Sequence, residues 1–311
     1  MKRVVITGAT SSIGTALIEE CIEQKIEVLA IANKGSKNIE RIPRHQLVSV
    51  FEASQDEYSS IFKCENALIK YDVMFHLAWA ATQGDSARAL LQPQAMNIKY
   101  ALDAVDLAER LGCTVFIGSG SQAEYGRTNE VLTEETECHP ETPYGIAKLC
   151  AGQMTRLACK EKGIKHIWPR ILSAYGPNCQ PQTIINYAIM ELLERRSPKL
   201  TKCEQIWDFI YTGDVARALT LLAKKGNDGE VYVIGSGNST ALKEYILKVE
   251  DIVNSGISVE FGVKEYTSST VMHLACDISK IRNDTGFEPK VCFEEGIKRT
   301  KEWIQKNNLK K

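Results

Sequence analysis

The sequence predicts an α/β fold: a doubly wound parallel sheet covered by helices on both faces, with a smaller mixed C-terminal domain over the sheet's C-terminal edge. Three observations lead there. Short apolar runs alternate with amphipathic stretches through the first half of the chain. Those runs lack the period-2 alternation of a half-exposed strand, as in Val4-Val5-Ile6. A glycine-rich turn follows the first run and opens the first amphipathic stretch. Strands alternating with helices build a parallel sheet buried on both faces.

In chain order, strands are expected over residues 4–7, 27–31, 47–51, 73–78 and 114–118, and helices over 13–24, 97–111 and 144–162. Further strands are expected over 166–171 and 231–234. The segment 173–206 and the tail after about 238 carry turns, short helices and scattered polar residues. The larger domain is therefore expected to take residues 1–172 plus about 207–237, and the smaller about 173–206 plus 238–311. No internal repeat, low-complexity tract or long linker divides the chain.

A chain of 311 residues with 44% hydrophobic content can bury a large core. With 25% charged residues and a net charge of −1, it carries no electrostatic footprint for nucleic acid or an anionic membrane. No apolar run is long enough to span a bilayer, and the opening Met-Lys-Arg-Val-Val-Ile-Thr-Gly reads as a strand entering a turn. Ten cysteines fall at 21, 64, 113, 138, 150, 159, 179, 203, 276 and 292, with no Cys-x-x-Cys pair. They read as small buried hydrophobes in a reducing cytoplasm, with no disulfide frame and no metal site.

The turn Thr7-Gly8-Ala9-Thr10-Ser11-Ser12-Ile13-Gly14 lies between a strand and a helix. The first glycine permits the tight turn and the last lets helix and strand pack closely. Free N–H groups and the dipole at the helix N-terminus favour a pyrophosphate, so the turn reads as a Rossmann-type dinucleotide site. Ser11 stands where a middle glycine is expected, and its hydroxyl offers a bond in exchange for a closer backbone approach. Further on, Tyr144 and Lys148 are four apart in Pro-Tyr-Gly-Ile-Ala-Lys. On a helix they share a face, and a nearby ammonium favours the phenolate, lowering the tyrosine pKa towards a useful value.

Taken in order, these motifs resemble the extended short-chain dehydrogenase/reductase family, also called the NAD-dependent epimerase/dehydratase family. The resemblance adds Asp72-Val-Met-Phe-His-Leu77-Ala78, Asn97 opening the next helix, Phe116-Ile-Gly-Ser-Gly-Ser121 before Tyr125-Gly126, and Tyr175-Gly176-Pro177. It continues through Trp207-Asp-Phe-Ile-Tyr-Thr-Gly-Asp-Val-Ala216 to Ala275-Cys-Asp-Ile-Ser-Lys280 and Thr285-Gly-Phe-Glu-Pro289. It implies that Tyr144 is the acid/base, that Lys148 holds the nicotinamide ribose and keeps the tyrosine pKa low, and that Ser121 bonds the reacting oxygen. Ser119 is the weaker stand-in for Ser121. The turn residues Thr7, Gly8 and Thr10 to Gly14, with Leu77, Ala78 and Asn97, are implied cofactor contacts. Trp79, Gln122, Ser173 and Trp207 are implied substrate contacts. A homodimer is expected through a four-helix bundle of the helices over 97–111 and 144–162.

Departures from the family pattern carry information. Dehydratases of the family follow the catalytic Ser or Thr with acidic groups, whereas Gln122 and Ala123 stand here and Glu124 is out of register. Elimination of water needs a base and an acid that these side chains lack; Glu204 and Asp208 are the carboxylates left to replace them. Ser173 replaces an Asn, and Trp207 replaces an Arg that grips phosphate, giving a face for stacking in its place. After the second strand no carboxylate appears until Glu40, while Asn33, Lys34 and Lys37 line the loop. NADP is therefore expected ahead of NAD, with Glu52 approaching the adenine. The favoured reading is reduction of a nucleotide-linked 4-keto-6-deoxyhexose; the alternatives are a nucleotide-sugar 4-epimerase with tightly bound NAD, and a non-catalytic dinucleotide-binding regulator.

Overall fold

The computed structural model describes residues 1–63 and 69–308. The chain opens with β1 (Arg3–Thr7), α1 (Ser12–Glu23), β2 (Glu27–Ala32), β3 (Val48–Glu52) and β4 (Val73–His76). A short α2 (Gly84–Arg88) leads into α3 (Leu91–Arg110), β5 (Val115–Ile117), β6 (Gly120–Ser121), β7 (Val131–Leu132) and α4 (Pro143–Glu161). Next come β8 (Lys165–Ile171), β9 (Ser173–Tyr175), α5 (Ile184–Leu193), β10 (Ile206–Tyr211), α6 (Thr212–Lys225) and β11 (Glu230–Ile234). The chain finishes with β12 (Ser239–Ala241), α7 (Leu242–Val253), β13 (His273–Cys276), α8 (Ser279–Thr285) and α9 (Phe293–Asn308).

The large sheet is parallel, in the order β11-β8-β5-β4-β1-β2-β3, with β6 paired to the end of β8. The order reverses between β1 and β4, the point at which sheets of this kind form a ligand crevice outside the strands' carboxyl ends. Successive residues of β1 face opposite layers. Val4 and Ile6 pack with Leu17 and Ile18 of α1 and Leu219 and Leu222 of α6, while Val5 packs with Ala104, Val105 and Ala108 of α3 and Cys159 of α4. Burial on both faces is the reason this run is apolar without alternation.

A second sheet runs β12-β10-β13-β7, with β9 against β10. It is mixed, because β12 lies antiparallel to β10 and the other pairs are parallel. Its helices share a separate core in which Ile185, Ile189 and Leu192 of α5 meet Ile246 and Val249 of α7 and Ile297 and Ile304 of α9.

Three expectations change. Helix α3 begins at Leu91 rather than at 97, with Pro93 in its first turn, where a missing N–H is tolerated; Asn97 lies inside the helix. Strand β10, expected with the large domain, belongs to the second sheet, where Trp207 pairs with Thr240 and with Leu274. The apolar run 206–211 reads alike in either sheet, and only its partners decide. Strand β7 crosses likewise, Val131 and Leu132 pairing with Ala275 and Cys276. The cysteines among the described residues are unpaired; Cys64 lies outside the described residues. Among the described residues no helix is long and apolar enough to cross a membrane.

Two imidazoles lie in the large sheet, His76 on β4 and His166 on β8, both buried. Burial pushes their pKa values down, to about 3 for His76, where Lys148 adds to the effect, and to about 4 for His166. The unfolded chain takes up protons on both from about pH 6.5 downward, while the fold does not. Stability is therefore expected to fall as pH drops below about 6.5, by about 2 kcal/mol per imidazole at pH 5. Denaturant melts at neutral and mildly acid pH check this; a flat profile would contradict it.

Candidate active site

The crevice is built first by what position 8 lacks. Gly8 has φ +68°, and an added Cβ would stand 2.7 Å from the backbone nitrogen of Ala78 and from the carbonyl carbon of Leu77. The ends of β1 and β4 approach because no side chain stands between them. At Gly14 a Cβ would lie 2.3 Å from the Gly8 oxygen, so α1 could not start so close to the turn. Ser11 caps α1, its Oγ accepting the Gly14 N–H at 3.0 Å. Its own O–H remains to donate, beside Thr10 and the N–H groups of Ser12 and Ile13 at the helix start.

Two residues expected to touch the cofactor also tie down the loop after β4. Thr7 is fully buried; its hydroxyl pairs with His76 Nδ1 at 3.0 Å and accepts the Ala78 N–H at 3.2 Å. Asn97 is also buried, accepting the Ala80 N–H at 2.8 Å and donating to the Ala80 oxygen at 3.1 Å. On the far side, Asn33, Lys34 and Lys37 are exposed in the turn after β2. Glu52 holds that turn by accepting the Gly35 N–H at 3.1 Å.

Helix α4 packs against β6 and brings three candidate groups to the carboxyl edge of the sheet. Thr142 caps the helix, accepting the Gly145 N–H at 3.1 Å, and Pro143 fills its first position. Tyr144 follows, and Lys148 lies one turn on, 3% exposed. Ser121 is 7% exposed; its Oγ donates to Gln122 Oε1 at 2.8 Å and accepts the Ala123 N–H at 3.2 Å.

The electrostatics correct a sequence expectation. The Lys148 ammonium lies 5.7 Å from the Tyr144 ring centroid and donates to the Ser119 carbonyl at 2.6 Å and to Ser119 Oγ at 3.2 Å. Burial pushes the Tyr144 pKa up, against the lowering by Arg88 and by the hydrogen bond with Ser121. Burial likewise pushes Lys148 down to about 7, with Glu124 opposing and Arg88 adding to the shift. Both groups thus lean towards their neutral forms. Arg88, at the end of α2, places its guanidinium carbon 5.0 Å from the Tyr144 centroid. Its context Gly-Asp-Ser-Ala-Arg carries no motif, and nothing in the sequence points to it.

Glu124 has no accessible surface. It accepts the Ser121 N–H at 2.8 Å, Arg170 Nε at 2.9 Å and Trp168 Nε1 at 3.1 Å. Arg170 in turn stacks on Tyr125, 4.6 Å from its centroid. Of the carboxylates considered for elimination, Asp208 is also fully buried, accepting the Ser236 and Gly237 N–H groups at 2.9 Å each. Glu204 is exposed.

Of the expected substrate contacts, Ser173 and Trp207 meet one another, Trp207 Nε1 donating to Ser173 Oγ at 2.8 Å. Trp79 sits against the proposed catalytic pair, 6.2 Å from Tyr144 in an edge contact, and donates Nε1 to Gln94 Oε1 at 2.8 Å. Gln94 was missed by sequence reading. Its spacing from Asn97, three residues along a helix face, was the signal available for it.

The model of the NAD dependent epimerase/dehydratase family matches residues 4–235. The chain belongs to this family. It is an enzyme of the short-chain dehydrogenase/reductase type. It is similar to a putative UDP-glucose 4-epimerase of Methanocaldococcus jannaschii, 26% identical over 98% of this chain and 99% of that one. It is also similar to the dTDP-glucose 4,6-dehydratase of Salmonella typhimurium, 24% identical over 98% of this chain and 93% of that one. Among solved structures, the UDP-glucose 4-epimerase of Thermotoga maritima with UDP-glucose superposes at a TM-score of 0.86, with 26% identity over 98% of this chain and 99% of that one.

Glu124 supports Ser121 by accepting its N–H. Replacing it by Ala leaves the buried Arg170 without its carboxylate, a change expected to cost about 3–5 kcal/mol. Glu124→Gln keeps acceptor shape without charge and should lose less. Urea melts of the two variants provide the measurement; equal stability of Glu124→Ala and wild type would show the pair to be dispensable.

Proposed function

We propose that the chain exchanges hydride at C4 of a nucleotide-activated sugar, with reduction of a 4-keto-6-deoxyhexose as the leading reading. One observation carries it. Ser121, Tyr144 and Lys148 stand at the carboxyl edge of the sheet, while the two positions after Ser121 are Gln122 and Ala123 and Glu124 is committed to Arg170. An acid for a carbonyl oxygen is present and a base for eliminating water is not. The nucleotide-sugar class is supported by the named relatives, whose substrates carry UDP or dTDP.

A nicotinamide dinucleotide fits the residues present. The capped N-terminus of α1 behind Gly8 suits a pyrophosphate, and the Lys148 ammonium suits ribose hydroxyls. When bound, the nicotinamide supplies or accepts the hydride. Tyr144, its pKa raised by burial, holds a proton at its hydroxyl near neutral pH and gives it to the oxygen being reduced. Ser121 orients that oxygen, exchanging its bond to Gln122 for one to the substrate. Loop 77–81, fixed by Asn97 and Gln94, walls the crevice.

The second reading is 4-epimerisation with retained NAD. Similarity to 4-epimerases along nearly the whole chain favours it. So do two ties across the glycine-rich turn: Asn178 Nδ2 donates to Thr15 Oγ1 at 3.2 Å, and Arg41 donates to the Asn178 oxygen at 3.4 Å. These restrain the segment after Pro177 against α1, as slow cofactor release requires. The leading reading draws on the end of β2, where Ala32 and Asn33 offer no carboxylate to a ribose and Lys34 and Lys37 are free to meet a 2′-phosphate. Glu52, bonded in the same turn, opposes that preference.

The deciding experiment analyses dinucleotide released from the purified protein and assays nucleoside-diphosphate sugars by mass. Consumption of added NADPH with a keto sugar supports reduction; released NAD with interconversion of C4 epimers supports the second reading. Appearance of a 4-keto-6-deoxy product from nucleotide glucose would overturn the account of Gln122 and Ala123. Tyr144→Phe should lower turnover by about 10²–10⁴ while leaving cofactor affinity within a few-fold. Calorimetry should show NADPH binding about tenfold tighter than NADH; a preference for NADH reverses that expectation.

We also propose a homodimer through α3 and α4. The two helices pack on each other, yet Leu91, Met96, Ile146, Met154 and Leu157 remain exposed along them. A self-complementary apolar face suits a twofold contact. Light scattering at micromolar concentration is expected to give twice the chain mass, and a monomer would refute the contact.

A further inference from the structure

Lys148 has lost its water without gaining a free counter-ion. Its ammonium is buried, and its hydrogen bonds go to the neutral oxygens of Ser119. The titratable and charged groups that face it are Tyr144 on its own helix, His76 on β4, Glu124 behind β6 and Arg88 on α2. Tyr144 is held neutral by burial, and so is His76. Arg88 repels the ammonium, and the Glu124 carboxylate is shared among Arg170, Trp168 and the Ser121 N–H. A lysine in such surroundings gives up its proton readily. One more surface touches it: the Trp79 ring, whose centroid lies 3.6 Å from Nζ.

Trp79 is itself held in place. Its Nε1 donates to Gln94 Oε1, and the buried Gln94 amide donates to the Ala81 oxygen at 2.9 Å. Asn97 clamps Ala80 through both its N–H and its carbonyl. Between these ties Ala81 is kept at φ +55°, a backbone state that an alanine rarely adopts unaided. The loop is thus over-determined, and what it presents to the crevice is an indole face towards Lys148 and an edge contact with Tyr144.

We infer that Trp79 is a positioning residue for Lys148: its π face holds the ammonium charged and in place for the dinucleotide. The inference rests on the function proposed above and gives Trp79 a task besides contact with a sugar. A cation on an aromatic face is stabilised most where water is excluded, and here the other facing groups give it little support. In the charged form Lys148 binds ribose hydroxyls as a donor; once neutral it loses that grip.

The test is dinucleotide affinity as a function of pH, measured by calorimetry on wild type, Trp79→Leu, Trp79→Phe and Lys148→Met. Removing the face favours the neutral amine, so the pH at which binding fails should fall. For Trp79→Leu the midpoint is expected about one unit lower, the tenfold change that a lost cation–π contact supports. Trp79→Phe, which keeps a smaller face, should move it less. Graded fluorination of the indole at position 79 weakens the face while nearly preserving its shape; the midpoint should descend with each added fluorine, and this series carries the test if Trp79→Leu does not fold. A midpoint unmoved by Trp79→Leu or by fluorination overturns the inference while leaving the proposed function standing. Lys148→Met binding dinucleotide with the wild-type affinity and pH profile would overturn the assignment of Lys148, and this inference with it.

Discussion

A carboxylate with no access to water organises the crevice. Glu124 takes the Ser121 N–H, the Arg170 guanidinium and the Trp168 indole, and so joins β6 to β8 at the point where the chain leaves the large sheet for the second one. Burying such a pair is costly, and replacing it by well-packed apolar groups often gains stability. Its value here is geometric. Ser121 pairs in register with Ile171, and Ser173 lies two residues on, so an error in the placing of Glu124 would reach both walls of the crevice. The same residue enters the electrostatics, raising the pKa values of both Tyr144 and Lys148 against the pull of Arg88.

That balance bears on the direction of chemistry. A phenol that donates a proton to a carbonyl must be protonated before reaction, and burial favours that state at Tyr144. Oxidation of an alcohol asks for the opposite, a phenolate supported by a charged lysine. Lys148, with a pKa pushed to about 7 and turned towards Ser119, gives the phenolate little support in this arrangement. In the reading proposed above, ribose hydroxyls at Lys148 would add to the support that the Trp79 face gives the charged form, so that cofactor occupancy and tyrosine acidity are coupled through one side chain.

The large sheet was legible because its physics is local. Runs such as Val4-Val5-Ile6 must be buried on both faces, and Gly8 and Gly14 have backbone contacts that a Cβ would violate. Tyr144 and Lys148 were legible because helical spacing alone places them on one face. What sequence pattern did not reveal was partnership. The run 206–211 looks like any buried strand, and its place in the second sheet is set by pairing with Thr240 and Leu274, residues far along the chain. Thr7 and Asn97 sit within motifs expected to touch a ligand, and their hydrogen bonds to His76, Ala78 and Ala80 lay outside what spacing could reveal. Arg88 reaches Tyr144 through the fold of a short helix with no sequence signature.

The same distinction bears on the specificity proposed above. The proposed hydride chemistry rests on Ser121, Tyr144 and Lys148 at the edge of the large sheet, and the family match over 4–235 spans these residues and strands β9 and β10 alike. Strands β9 and β10 carry two of the proposed substrate contacts, Ser173 and Trp207, which depart from the family pattern together and bond to each other. Two independent losses would leave an unpaired hydroxyl and an unpaired indole N–H; a mutual hydrogen bond satisfies both and fixes the indole in one orientation. A wall made this way offers a flat apolar face and no charge. In the reading proposed above, any grip on a phosphate comes from elsewhere, and Arg88, exposed and resting on the Tyr144 ring, is a cation beside the proposed acid/base.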